Sequence, residues 1–209
     1  RGNKRLVIGD IGAGFGLFLE EFKKRMPGNR YICIEPSLEM AEVCRKKKLE
    51  VKSMCLEDMD SYEQDFDLLT SFELIEHLHN PVSFFNKAHS LLKRKGYFFM
   101  TTLNGRGFDI LLLWNKSKSI APPLHLNFFN PGSIRILLEK IGFQILEIST
   151  PGKLDWDIVE GMVKNEGVDA GRLWNLLAKE GREKCKTELQ DWIYRHNLSS
   201  HMRILARKP

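Results

Sequence analysis

Three acids fall at the ends of successive apolar segments: Asp10 in VIGD, Glu35 in YICIE and Glu57 in SMCLE. The first is followed at once by glycines on a two-residue beat, Gly12, Gly14 and Gly16. A strand running into such a loop brings backbone close to a bound nucleotide. A dinucleotide fingerprint, however, needs a third glycine three residues after the second, and Leu17 stands there. An acid aimed into the loop would also repel a pyrophosphate. It suits a ligand that carries positive charge, such as an amino group. A nicotinamide-dependent reaction is therefore not expected.

Two histidines sit where an acceptor could be deprotonated. His77, in EHLH, follows the fourth strand pattern, and His125, in PPLHLNFF, lies in a long connection after the fifth. Imidazole titrates near neutrality and is the usual general base. A helix-opening or loop-packing role is the alternative for each. His79 is expected in a surface turn. Asn104, before Gly105, suits either a turn or a hydrogen bond to an acceptor.

The elements that must position these groups alternate. RLVIGD, RYICIEP (30–36), LEVKSMC (49–55), FDLLTSF (66–72) and YFFMTTL (97–103) are apolar, β-branched strand patterns. Between them lie amphipathic segments, with Ser37 and Asn80 as N-caps, Pro81 at a first helical position and Gly96 as a stop. Strand–helix alternation implies parallel crossovers and a sheet covered on both faces, with ligands at the carboxyl ends of the strands. FQILEIS (143–149) and HMRILARK (201–208) complete seven strands. A charge-rich helical insertion spans 153–197, of a kind more often solvated or oligomerising than catalytic, with Trp156, Trp174 and Trp192 expected to pack it onto the sheet. FDILLLW (108–114) admits three readings: a buried segment, a lid over an apolar acceptor, or a membrane-surface contact.

With these residues placed, DIGAGFG resembles the first motif of the class I S-adenosylmethionine-dependent methyltransferases, an acid followed by GxGxG. The resemblance runs over roughly 4–150 and includes the stretch from DFDLLTSFELIEHLHNP to TTLNG. EHLHNP is typical of the branch holding ubiquinone-biosynthesis O-methyltransferases and sugar or glycan methyltransferases. The resemblance implies a doubly wound, Rossmann-like α/β fold with an antiparallel last strand, and S-adenosyl-L-methionine as cofactor. It carries cofactor contacts to Asp10, Gly12, Ala13, Gly14, Gly16 and Pro36, to Glu35 at the ribose, and to Leu56 and Glu57 at the adenine. Phe72 either flanks the cofactor or belongs to the core. The implied reaction moves a methyl group to a hydroxyl of a small molecule, sugar or glycan precursor. The alternatives are a quinone or lipid acceptor, and a cofactor-binding domain without catalysis.

Bulk properties agree. The 209 residues carry a net charge of +5, with 43% hydrophobic and 28% charged content. Basic residues fall in short runs without interleaved aromatics, so nucleic acid is not an expected partner. Cys33, Cys44, Cys55 and Cys185 form no CxxC pair and no cluster of metal-ligand spacing, which reads as structural thiols in a reducing, cytoplasmic compartment. ILLLW (110–114) is too short to cross a bilayer. The chain begins at Arg1, and we read it as one methyltransferase domain over 1–209 from a longer protein.

Overall fold

The computed structural model describes residues 5–60, 66–180 and 182–209. Seven strands form one sheet in the order β3-β2-β1-β4-β5-β7-β6. These are β1 (Val7–Ile11), β2 (Arg30–Ile34), β3 (Glu50–Lys52), β4 (Phe66–Phe72), β5 (Leu92–Leu103), β6 (Gln144–Ser149) and β7 (His201–Arg207). The pairs among β1 to β5 are parallel, and β7 runs antiparallel to both β5 and β6. The doubly wound fold expected from the strand–helix alternation is therefore present, with its antiparallel last strand.

Local chemistry sets the helix ends. The helix α1 (Leu17–Arg25) begins after Gly16 in a left-handed conformation and ends in Lys23, Lys24 and Arg25, which suit the negative end of its dipole. Ser37 Oγ accepts from Met40 N at the start of α2 (Leu38–Lys46), and Asn80 Oδ1 accepts from Ser83 N at the start of α3 (Pro81–Leu91). Pro81 occupies the first turn as expected. A short α4 (Phe108–Leu113) follows β5, and α5 (Pro131–Ile141) opens with a reciprocal Asn130–Ser133 capping box.

Two apolar layers flank the sheet. Phe66, Phe84, Phe85, Phe98 and Phe143 pack on the side covered by α3 and α5. Ile8, Leu19, Tyr31, Cys33, Cys44 and Leu49 pack under α1 and α2.

Four expectations are corrected. Gly96 does not stop the helix after β4: α3 ends at Leu91, and the chain enters β5 directly because Leu92 pairs with Phe66. Gly96 instead lies where the β4–β5 register shifts, close against the carbonyls of Lys93 and Phe66. The third strand keeps three residues, not seven, since only Glu50–Lys52 find partners on β2. Nor is the second face fully covered. Ile8, Leu68, Phe99 and Leu205 line an open groove of about 710 Å³ beside α1, and Tyr97 there stays 42% exposed.

The insertion is the fourth. Its helices α6 (Asp155–Glu166), α7 (Arg172–Glu180) and α8 (Glu183–Arg195) lie within the expected span. Trp156 and Trp174 do not pack on the sheet; they meet each other and Phe108 of α4 in a separate apolar cluster. Trp192 is half exposed and packs against His196 with the rings tilted. The insertion thus has its own core, which α4 joins because Phe108, Ile110 and Leu113 turn inward while Leu111 and Trp114 face out.

Candidate active site

The loop after β1 is built on left-handed backbone. Gly12, Gly14 and Gly16 have φ of 67°, 53° and 68°, a region that side chains with a Cβ rarely enter. The three nevertheless do different work. A Cβ on Gly16 would lie 2.9 Å from both Cys44 Sγ and Leu49 Cδ1, and one on Gly12 would lie 3.1 Å from the Leu74 side chain. A Cβ on Gly14 would meet nothing within 4 Å. Gly12 and Gly16 thus pack the turn against the protein, and Gly14 presents bare backbone to open space. Ala13 is half-buried between them.

Asp10 stands beneath this loop, buried in β1, with Oδ1 accepting from Thr70 Oγ1 of β4 at 2.6 Å. Burial pushes its carboxyl up to about 7; the Thr70 hydrogen bond opposes the rise, and the charge of Glu35 adds to it. A cation in the loop would favour its ionised form.

Glu35, just past β2, is also buried. Its Oε2 accepts from Gly14 N at 2.8 Å and its Oε1 from Ser37 N at 2.9 Å. One carboxylate therefore ties the loops after β1 and β2 together. Pro36 beside it is exposed. Leu56 and Glu57 begin a 3-10 turn after β3; Leu56 is buried in the core, and Glu57 is exposed towards α3. Phe72, at the end of β4, packs on Phe18 and Phe99 with ring centroids 4.7 and 6.0 Å away.

The two candidate bases come together. His77 and His125, 48 residues apart in sequence, have ring centroids separated by 4.9 Å. His77 Nδ1 donates to Leu124 O at 2.8 Å, and His125 Nδ1 donates to Ser119 O at 2.7 Å. A carbonyl only accepts, so the neutral rings each keep a bare lone pair at Nε2. His79 is exposed. Asn104 is fully buried, and its amide donates to Ser199 O at 2.9 Å and Asn197 O at 3.4 Å, so it locks the end of the insertion rather than facing a ligand.

Several polar groups here were not singled out from the sequence. Buried Glu76 accepts from Thr102 Oγ1 at 2.8 Å, and its backbone carbonyl holds Leu126 N and Asn127 N, clamping the long connection onto the end of β4. Burial raises the Glu76 carboxyl pKa, with its own backbone and Thr102 opposing. Buried Asp109 accepts from Ser117, Ser119 and Ser200, which joins α4, the connection and the start of β7. Glu73 Oε2 accepts from His201 Nδ1 at 2.9 Å. None of these partners is near in sequence except Ser117 and Ser119, so spacing carried no signal for them.

The donor set fits S-adenosylmethionine: an anionic group at the loop for its amino group, a carboxylate between the first two strand ends, and open backbone at Gly14. Comparison with known proteins agrees. A family described as a methyltransferase domain matches residues 3–148. A ubiquinone biosynthesis O-methyltransferase of Xanthomonas euvesicatoria pv. vesicatoria is 27% identical over 153 residues, covering 67% of this chain and 63% of that protein. The chain thus spans less than two thirds of that relative's length. A putative sarcosine dimethylglycine methyltransferase from Galdieria sulphuraria superposes with a TM-score of 0.65 at 18% identity, covering 98% of this chain and 78% of that one. Mycolic acid cyclopropane synthase CmaA1, solved with SAH and CTAB, gives a TM-score of 0.66 at 17% identity over 98% of this chain and 78% of its own.

Proposed function

Because the chain belongs to this methyltransferase-domain family, we propose that it binds S-adenosylmethionine at the β1–β2 edge and moves the methyl group to a hydroxyl of a small molecule. One observation carries the reading: Asp10, Gly14 and Glu35 meet at one strand edge, with Glu35 hydrogen-bonded to the Gly14 amide. Asp10 takes the amino group, Glu35 the ribose hydroxyls, and Ala13, Pro36, Leu56 and Glu57 flank the nucleoside. The bound cofactor supplies an activated methyl group; the protein's part is to align the acceptor oxygen, keep water out and accept a proton.

The acceptor lies beyond β4, under the connection that carries His125. A sugar or glycan hydroxyl fits the exposed polar groups there, Glu73 and His77. A second reading, a phenolic hydroxyl of a quinone precursor or other lipid, is favoured by the exposed Leu124, Leu126 and Phe128 on the same connection. The resemblance to a ubiquinone biosynthesis O-methyltransferase supports it as well.

Calorimetry with S-adenosylmethionine, S-adenosylhomocysteine and NAD tests the cofactor assignment. Micromolar binding of the two adenosyl ligands without NAD is expected; binding of NAD alone would overturn it. Radiolabelled methyl transfer to catechol and to methyl glycosides then tests the acceptor class. Transfer to neither would leave a cofactor-binding domain without this catalysis.

A further inference from the structure

We propose that His201, held by Glu73, is the general base that takes the acceptor's hydroxyl proton. The proposal rests on the methyl-transfer reading and adds the residues that complete it. The geometry begins with strand direction. Because β7 is antiparallel, its first residue lies at the carboxyl edge of the sheet, where His201 pairs with Leu103, the last residue of β5. Glu73 follows the last residue of β4 and is held there by its amide, which donates to Thr101 O of β5 at 3.0 Å. Two residues 128 apart in sequence thus meet over β4, β5 and β7.

This pair sits next along the edge from the nucleotide loops. Glu35 follows β2, Asp10 lies in β1, Glu73 follows β4, and His201 opens β7, in spatial order. From Asp10 to His201 is three strand spacings, roughly 14 Å, room for the methionine end of the cofactor and an acceptor between them. Side chains alternate along strands, so His201 shares its face with Arg203 and Leu205 while Met202, Ile204 and Ala206 enter the core. It therefore emerges on the open side of the sheet, with its side chain 55% exposed and that of Glu73 42% exposed.

The hydrogen bond fixes which nitrogen is available. Glu73 Oε2 accepts from Nδ1, so the neutral ring offers Nε2 as base. Glu73 achieves this from left-handed backbone, φ 47°, which a glutamate rarely adopts; strain of this kind collects at functional sites. The charges that act on the ring are acidic: Glu73 beyond β4, which contacts it directly, Glu76 in the following turn and Asp109 on α4. The Glu73 hydrogen bond raises the His201 pKa above its ordinary value; burial opposes this and the three acidic charges add to it. For Glu73, burial acts upward, but the bonds to His201 and Thr101 outweigh it and keep the carboxyl low. A carboxylate-backed imidazole is the result.

In the reaction, the acceptor oxygen forms its bond to the methyl carbon while the sulfur–methyl bond breaks, its electron pair staying on sulfur. His201 takes up the hydroxyl proton at Nε2 and passes it to solvent. Glu73 is a positioning residue: it holds the tautomer and stabilises the imidazolium.

Two measurements decide this. The first is NMR titration of the His201 ring, assigned with His201→Gln, in protein saturated with S-adenosylmethionine or with S-adenosylhomocysteine. These ligands differ by one positive charge at sulfur. A neighbouring imidazole is expected to titrate about one pH unit lower beside the sulfonium; equal midpoints overturn the proposal while leaving the cofactor reading intact. Failure of both ligands to bind overturns both. The second is the pH dependence of kcat for methyl transfer to catechol or the methyl glycosides. Glu73→Gln is expected to move the acid limb to lower pH, and His201→Gln to cut kcat by about 10²–10⁴-fold with the S-adenosylhomocysteine Kd within about twofold. An unchanged limb in Glu73→Gln, or an unchanged kcat in His201→Gln, overturns the assignment.

Discussion

Thr70 Oγ1 donates to Asp10 Oδ1 at 2.6 Å across the β1–β4 pair, inside the sheet and directly beneath the glycine loop. The hydroxyl steadies a carboxyl that burial drives towards its neutral form, with a pKa of about 7 in place of 3.8. Folding favours the neutral carboxyl, and the proposed pairing with the ligand's amino group favours the ionised one.

Because the folded-state pKa is raised, the fold favours protonated Asp10. Its contribution is fully present below about pH 4 and is lost as pH rises to about 7, on the order of 4 kcal/mol in all. Asp10→Asn is expected to raise the melting temperature at pH 8 and leave it unchanged near pH 3. The same variant is expected to weaken S-adenosylmethionine binding by about 10-fold or more, for loss of a charge-assisted bond. Calorimetry beside thermal melts at the two pH values checks this; a variant that binds as tightly as the parent would remove Asp10 from the site.

For the unsubstituted protein, cofactor affinity is expected to climb between about pH 6 and 8. In the proposed site, Asp10 pairs with the ligand's ammonium group when ionised and not when neutral, and burial places that change near pH 7. A flat binding profile over that range would show that the amino group is held elsewhere.

Glu35→Ala strips the acceptor from the Gly14 and Ser37 amides at once. Each abandoned donor costs about 1–3 kcal/mol where water cannot replace the carboxylate. Loss of both cofactor affinity and stability is expected, by calorimetry and urea unfolding. Retained affinity would mean that the ribose is bound by other groups.

The glycines separate packing from binding. Gly16→Ala places a Cβ against Cys44 and Leu49 and forces positive φ, so stability is expected to fall by about 1–3 kcal/mol. Gly14→Ala carries only the backbone penalty, about 1–2 kcal/mol, but is expected to lose cofactor affinity. Equal binding losses in the two variants, measured under folded conditions, would contradict the division.

His125→Ala is expected to lower turnover more than cofactor affinity, and its effect should not add to that of His77→Ala, because the rings are 4.9 Å apart. Additive effects would mean that the two histidines act separately. Equal losses of turnover and affinity in His125→Ala would mean that it only supports the connection through Ser119.

The sequence by itself determined the alternation of strands and helices and the glycine loop after β1. Those signals are local: Asp10 before Gly12, Gly14 and Gly16, Ser37, Asn80 and Pro81 at helix starts, alternation of strand and helix. Capping, positive φ and apolar periodicity act over a few residues, so spacing reveals them. Long-range meetings left no such trace. His77 against His125, Asn104 against Ser199, Asp109 against Ser200 and Glu73 against His201 arise because distant loops converge at one carboxyl edge. Trp156 and Trp174 followed the same rule: their apolar bulk was legible, but only packing decided that they would face Phe108 and not the sheet. Local chemistry wrote the glycine loop after β1, and the antiparallel return of β7 decided that His201 stands at the same carboxyl edge beside Glu73.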